Sequence, residues 1–113
     1  MANFLYLFRG GKMDGTPAEQ QQSMQRWGAW MKELGAQGHF KGGEPLEGGG
    51  KVLKGKSKSV TDGPFAEAKD LVGGYLIVEA KDLMHATELA RGCPIFEVDG
   101  SVEVRPIMHM SMP

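Results

Sequence analysis

The amino-acid sequence predicts an α+β domain whose strands and two helices follow the order β-α-β-β-α-β. Apolar runs rich in β-forming residues occupy 3–8 and 75–80, and strict alternation at 102–107 indicates a last strand. Helix-start signals at Thr16 and Asp82 place one helix after the first strand and another after the run at 75–80. Helices segregated from a run of antiparallel strands are typical of this fold class.

A capping box predicts the start of the first helix. Thr16 and Glu19 have the spacing at which each side chain bonds a free backbone N–H near the other, and Pro17 suits the first helical position. We expect this helix to run to Leu34 and to stop at Gly35. The apolar residues expected to share its buried face are Met24, Trp27, Met31 and Leu34, with Trp30 beside them.

The middle of the chain predicts a weak second strand at 40–45, a glycine turn at 48–50 and a third strand at 51–61. Lysines alternate with small residues along the third strand, at Lys54, Lys56 and Lys58. This pattern is too polar for a central strand, and lysines on an exposed edge discourage edge-to-edge pairing. We therefore expect the third strand at an edge of the sheet.

The run at 75–80 predicts a fourth strand that is apolar on both faces, and Asp82 can cap the helix that follows it. Gly92-Cys93-Pro94 ends this second helix. The apolar residues expected on its buried face are Leu83, Ala86 and Ala90, flanked by Leu89.

This order of elements is ferredoxin-like, a βαββαβ sandwich in which two helices cover one face of an antiparallel sheet. The strands at 3–8 and 75–80 are apolar at successive positions, so side chains on both of their faces need burial. A second copy of the sheet is the simplest cover for the face without helices. The sequence therefore predicts a homodimer packed sheet to sheet.

Composition limits the classes of function. The 113 residues are 41% hydrophobic and 24% charged, which indicates one soluble domain over 1–113 with a loose tail at 108–113. The net charge of -1 and a lysine segment without interleaved aromatic residues argue against nucleic acid. No run suits a signal peptide or a membrane span, and the single cysteine, Cys93, suits a reducing compartment. We expect a cytoplasmic protein without membrane or nucleic-acid partners.

Several motifs carry a family resemblance. Residues 62–69 read Asp-Gly-Pro-Phe-Ala-Glu-Ala-Lys, and Gly-Gly-Tyr at 73–75 and Glu-Val-Arg-Pro at 103–106 follow them. With Gly-Glu-Pro-Leu at 43–46, these motifs resemble the DGPF branch of the YCII-related family over nearly the whole chain. The resemblance implies a ferredoxin-like α+β fold that forms a dimeric α+β barrel.

The resemblance implies site residues but no defined reaction. The matching positions are Asp62, Phe65, Glu67, Lys69, Glu103 and Arg105, and Tyr75 of the Gly-Gly-Tyr motif completes the candidate binding residues. A His–Asp pair proposed as catalytic in the wider family falls at Trp27 and Cys93 here, so that pair is not carried over. Members of the branch are often encoded beside extracytoplasmic-function sigma factors, which implies a protein partner.

Asp62 is the candidate catalytic residue. Its carboxylate could serve as a general acid or base in a dimer cleft, where burial and nearby cations would tune its pKa. The alternative role is structural, because an Asp before Gly-Pro accepts hydrogen bonds from backbone N–H groups two or three residues further on. The sequence leaves both roles open.

The last strand supplies a second set of candidates. Val102 and Val104 point to one face of the sheet, and Glu103 and Arg105 point to the other. If the valines meet the helices, the charged pair faces the interior of the barrel, where Arg105 could hold a carboxylate or an enolate-like oxygen. The alternative is an internal salt-bridge network that fixes the dimer.

We expect neither a metal site nor a cofactor. His39 and His85 lack partners at metal-ligand spacing and are expected at exposed polar positions. The Met-His-Met-Ser-Met run at 108–112 has no Cys partner for a soft metal and is expected to be a flexible tail. Cys93 precedes Pro94 and has no base beside it, which indicates a buried structural thiol.

Two functions follow from these patterns. The first is a cofactor-free barrel that binds a small molecule in a polar cleft and performs lyase or isomerase chemistry through Asp62, assisted by Arg105. The second is a non-enzymatic regulatory or adaptor protein associated with an extracytoplasmic-function sigma factor. Only the inward-facing charges favour the first function over the second.

Overall fold

A computed structural model of the protein describes residues 1–11, 15–63 and 70–110. Its elements are β1 (Ala2–Gly10), α1 (Pro17–Ala36), β2 (Phe40–Pro45), β3 (Lys51–Lys54), β4 (Ser59–Asp62), β5 (Val72–Ala80), α2 (Leu83–Ala90), a 3₁₀ helix (Pro94–Val98) and β6 (Gly100–Pro106). The main sheet has the order β2-β5-β1-β6, and all its neighbouring strands are antiparallel. This is the predicted ferredoxin-like α+β fold.

The core lies between the main sheet and the two helices. Alternate residues of β1, namely Phe4, Tyr6 and Phe8, are buried, because successive side chains of a strand point to opposite faces. Tyr6 is fully buried, and its hydroxyl donates a hydrogen bond to the Ala86 carbonyl of α2. This bond satisfies the polar end of a large apolar side chain and ties the second helix to the central strand.

The capping box of α1 is confirmed, but the helix ends later than predicted. The Thr16 side chain accepts from the Glu19 N–H at 3.1 Å, and Pro17 occupies the first turn. Gly35 remains helical, and the turn comes at Gly38, whose φ of +81° lies in the left-handed region that favours glycine. Met24, which we expected on the buried face, is 72% exposed.

The predicted third strand is instead a β-hairpin. Lys51 pairs with Asp62 and Lys54 pairs with Ser59, so β3 and β4 form a separate two-stranded sheet. The chain reverses at Gly55 and Lys58, whose φ values are +75° and +54°. Counting alternation through 51–61 gave one strand because the sequence pattern does not record that reversal.

The second helix starts where predicted, but only some of its apolar residues are buried as predicted. The Asp82 side chain accepts from the His85 N–H at 2.8 Å, and Ala86 and Ala90 are buried. Leu83, expected on the buried face, is 46% exposed.

His39 is buried, so its predicted exposed position is wrong. It is 9% exposed, its ring Nδ1 lies 2.8 Å from the Glu79 carbonyl oxygen, and its ring meets that of His85 edge-on at 5.1 Å. The backbone explains this position, because the His39 N–H donates to Leu34 and its carbonyl accepts from Glu79. The end of α1 is thereby held against β5.

The face of the main sheet opposite the helices, here called the open face, carries both apolar and charged side chains. Leu5 and Leu7 pair with Ile77 and Tyr75 across β1 and β5. These four side chains are partly exposed and lie outside the core between sheet and helices. The molecule is only 18 Å across in its thinnest direction, as expected for one sheet and one helix layer.

In the part of the chain that the structure describes, neither helix is long and apolar enough to cross a membrane.

Candidate functional site

The structure brings Glu103 and Arg105 together on the open face and adds Arg9 to them. Arg105 Nη1 lies 3.2 Å from one Glu103 oxygen, and Arg9 Nε lies 3.1 Å from the other. Arg9 also donates from Nη1 to the Asp70 carbonyl at 2.8 Å. Val102 and Val104 pack against the core on the opposite face, as predicted.

Two guanidinium groups around one carboxylate define the electrostatics of this cluster. The hydrogen bonds from Arg105 and then Arg9 lower the pKa of Glu103, because they favour its ionised form. The cluster carries a net positive charge, and the Arg105 side chain is 64% exposed. Arg105 therefore has N–H donors available to an anionic group or to a partner surface.

Asp62 lies at the end of β4 in the two-stranded sheet, whereas that cluster lies on β1 and β6 of the main sheet. Its carboxylate forms an ion pair with Lys51 of β3, and its side chain is 82% exposed. It lines neither of the two clefts described below. Phe65, Glu67 and Lys69 lie outside the described residues, so the roles predicted for them stay predictions, as does the role of Asp62.

A cleft of about 440 Å³ opens between α1 and the ends of β1, β2 and β5, and we call it the α1 cleft. Its apolar wall includes Phe8, Trp27, Met31, Leu46, Ile95 and Val98. Tyr75, one of the predicted binding residues, is also among the lining residues, although its side chain lies on the open face. The volume and the apolar lining are those of a site for a small molecule.

Glycines form one side of the α1 cleft. They are Gly10, Gly11, Gly43, Gly73 and Gly74, from three adjacent strand ends. At Gly43, with φ +154°, a Cβ atom would lie 2.3 Å from the Tyr75 carbonyl oxygen, so a side chain would separate β2 from β5. At Gly73 a Cβ would meet no atom within 4 Å, so the missing side chain leaves open space.

Apart from Tyr75, the residues of the α1 cleft are not among the predicted site residues. The sequence predicts Trp27 on the buried face of the first helix and at a position of the His–Asp pair that is not carried over. In the fold its ring meets that of Phe8 edge-on, with centroids 5.0 Å apart. The signal that could have found the cleft is the recurrence of Gly-Gly at the ends of several predicted strands. Which strand ends meet is decided by the sheet order, which the sequence pattern does not give.

A second cleft, of about 420 Å³, lies between α1 and the 3₁₀ helix and includes Trp30 and Cys93. Arg26 and Glu97 form an ion pair of 2.9 Å beside it. Cys93 is 3% exposed, and burial raises its pKa to about 12, which confirms the predicted buried thiol. Among the described residues, no group of three His, Cys, Asp or Glu side chains could hold a metal ion.

The fold and the cleft define a class of protein, the ferredoxin-like α+β domains with a ligand-sized cleft between helix and sheet. Within this class the chain belongs to the YCII-related family, because the model of the YCII-related domain matches residues 5–111. Comparison with curated proteins gave no match.

A solved structure shares the fold. It is the 5-chloro-2-hydroxyhydroquinone dehydrochlorinase TftG from Burkholderia phenoliruptrix AC1100, determined in complex with 2,5-dihydroxybenzoquinone. The TM-score is 0.54 and the sequence identity is 19%, and the similarity covers 96% of this chain and 95% of that chain. At this identity the likeness shows the fold alone.

Proposed function

We propose that the protein binds a small, largely apolar molecule with an aromatic ring in the α1 cleft. The observation that carries this proposal is a cleft of about 440 Å³ whose wall holds Phe8 and Trp27 at an edge-on contact. Aromatic walls favour flat rings, which can pack against them with little loss of conformational entropy. The complex of TftG with 2,5-dihydroxybenzoquinone supports a ligand of this size in the same fold.

A variant that fills the cleft tests this proposal. Ser23→Phe adds a ring at a half-buried residue of α1 that lines the cleft, so it should weaken binding of simple phenols at least about 10-fold. Gln22→Phe is the matched control, because it adds the same ring at an exposed position of the same helix outside the cleft. Binding is measured by calorimetry. Equal affinities of the two variants and the wild type would place the ligand elsewhere.

The proposed chemistry is cofactor-free acid–base catalysis of the lyase or isomerase type. Neither Asp62 nor Arg105 lines the α1 cleft, so this chemistry belongs to a polar cleft of the proposed dimer. There Asp62 would transfer the proton, and Arg105, whose side chain is 64% exposed, would bind a developing negative charge on oxygen. The support for these roles is the exposure of both side chains and the family motifs in which they stand.

Asp62→Asn tests the catalytic role on any compound that the protein converts. The substitution keeps the side-chain shape and removes the titrating group, so turnover should fall at least about 100-fold while the fold is retained. Asp70→Asn, also exposed, is the control. Wild-type turnover by the Asp62→Asn protein would show that Asp62 has no catalytic role.

We also propose that the protein is a homodimer in which two open faces pack together. Leu5, Leu7, Tyr75 and Ile77 form the apolar part of this surface, and the Arg9–Glu103–Arg105 cluster borders it. A dimer should show twice the chain mass of 12.3 kDa in light scattering at micromolar concentration. A single-chain mass there would count against it.

The sigma-factor partner stays a prediction from the family resemblance, since no contact or surface among the described residues favours it. The cytoplasm remains the proposed location because Cys93 is a free, buried thiol, which suits a reducing compartment.

A further inference from the structure

Two hydrogen-bond donors on α1 line the α1 cleft without a partner among the described residues. Ser23 and Trp27 are four residues apart, so they lie on the same side of the helix, and both are half-buried. Within residues 1–11, 15–63 and 70–110, neither the Ser23 hydroxyl nor the Trp27 indole N–H makes a hydrogen bond. Trp30 differs, because its indole N–H donates to the Leu89 carbonyl at 3.3 Å.

The charges around the cleft restrict what these donors can bind. No Lys or Arg is among the described residues that line the cleft, and its one charged residue is Glu44, which is exposed. A carboxylate or phosphate ligand would lose its hydration without gaining a cation, and Glu44 would repel it. An uncharged acceptor such as a carbonyl oxygen has no such cost, and it can accept from both an O–H and an N–H.

We propose that the α1 cleft binds an uncharged planar ring bearing a carbonyl group, and that Trp27 Nε1–H and Ser23 Oγ–H donate to the carbonyl oxygen. The inference rests on the proposed small-molecule function and adds the chemical class of the ligand. Phe8 and Met31 contribute apolar contacts to the ring, and the two donors of α1 fix its orientation. A ring without the carbonyl should fit the same space but bind more weakly.

Three probes of similar size test this inference at about pH 6, where a phenol is uncharged and a carboxylate is ionised. They are para-hydroxyacetophenone, para-ethylphenol and para-hydroxybenzoate. We expect the ketone to bind about 3- to 10-fold more tightly than the ethylphenol, the range for one or two net hydrogen bonds. The benzoate should bind most weakly.

Nuclear magnetic resonance locates the hydrogen bond. The chain has two tryptophans, so the indole N–H signal that is lost in Trp27→Phe identifies Trp27. In the wild type this signal should move downfield on addition of the ketone and hardly at all on addition of the ethylphenol. Trp27→Phe and Ser23→Ala should each reduce the preference for the ketone about 3-fold, whereas Ser101→Ala on β6 should leave it unchanged.

The outcomes separate this inference from the proposed function. Equal binding of the ketone and the ethylphenol, with an unmoved Trp27 signal, would overturn the carbonyl proposal and leave small-molecule binding intact. Tightest binding of the benzoate would also overturn it. If none of the three probes binds at millimolar concentration, both proposals fail.

Discussion

At the residue scale, burial determines the chemistry of Cys93. The thiol lies between the end of α2 and the 3₁₀ helix, and the Cys93 N–H donates to Ala90. The cost of placing a thiolate in this apolar site raises its pKa to about 12. A thiol that stays protonated is a poor nucleophile, so Cys93 packs as a small apolar side chain.

We predict that iodoacetamide at about pH 8 modifies Cys93 at least about 100-fold more slowly in the native protein than in the same protein unfolded by urea. In the folded state only a small fraction of Cys93 is ionised, and the reagent has little access to its sulfur. Mass spectrometry of samples taken over time measures the rates. Similar rates in the two states would mean that the thiol is reachable without unfolding.

Glu103 shows how two neighbouring cations act on one carboxylate. Its pKa is lowered by Arg105 and Arg9, so the unfolded state takes up a proton more readily than the folded state. This contribution to stability is present above the ordinary value of 4.5 and is lost as the pH falls through the lower folded value. Because the group is exposed to solvent, screening keeps the effect small.

For this reason we predict that Glu103→Gln lowers the Tm at neutral pH and that the difference from the wild type shrinks as the pH falls below 4.5. Thermal unfolding followed by circular dichroism over a series of pH values measures it. Glu47→Gln, which removes an exposed carboxylate without an ion pair among the described residues, is the control. A difference in Tm that widens towards acid pH would contradict the lowered pKa of Glu103.

At the element scale, local signals define where the helices begin more reliably than where they end. The reciprocal bonds of Thr16 and Glu19 satisfy two free N–H groups at the start of α1, and Asp82 satisfies one at the start of α2. The end of α1 depends on Gly38 and on the bond from the His39 N–H to Leu34. Both features depend on where the chain must turn to enter β2.

Thr16→Ala should lower the free energy of unfolding by about 1 kcal/mol, because it leaves the Glu19 N–H without its acceptor. Urea denaturation measures the change. Gln22→Ala, at an exposed position of the same helix, should change stability by less than about 0.5 kcal/mol. An equal loss in the two variants would show that the capping box contributes little.

The β3–β4 hairpin has apolar side chains without cover in the single chain. Leu53 and Val60 are cross-strand partners and are 63% and 59% exposed. A two-stranded hairpin is only marginally stable by itself in water, so the stability of this hairpin depends on its connection to the rest of the molecule. Its Gly63 N–H donates to the Gly50 carbonyl at 3.2 Å, which closes its base.

At the scale of the whole molecule, the open face distinguishes a single chain from the proposed dimer. The molecule measures 47 × 46 × 18 Å, and its radius of gyration of 16.0 Å exceeds the value of about 13 Å expected for a compact domain of this length. A flat shape with apolar side chains on its uncovered sheet face favours association through that face.

Leu7→Lys should therefore convert the proposed dimer to a monomer, because it places a charge at the centre of the open face, opposite Tyr75 and Glu103. Light scattering coupled to size-exclusion chromatography measures the mass. Met84→Lys, which is 76% exposed on α2, is the control and should remain dimeric. A dimeric Leu7→Lys protein would indicate a different interface.

The sequence by itself determined the fold class, the helix starts, and the opposite orientation of Val102 and Glu103. These follow from periodicity and capping chemistry, which act over a few residues. The family followed from motifs along nearly the whole chain, and the YCII-related domain model confirms it. The DGPF branch remains a prediction.

Only the tertiary structure decided which residues form the candidate site. The α1 cleft joins glycines from three strand ends to Trp27 of α1, and the cluster on the open face joins Arg9 to Glu103 across β1 and β6. Such contacts depend on sheet order and register, which arise from packing between distant segments. Local patterns do not encode them, and for this reason Ser23, Trp27 and Arg9 became candidates only in the folded chain.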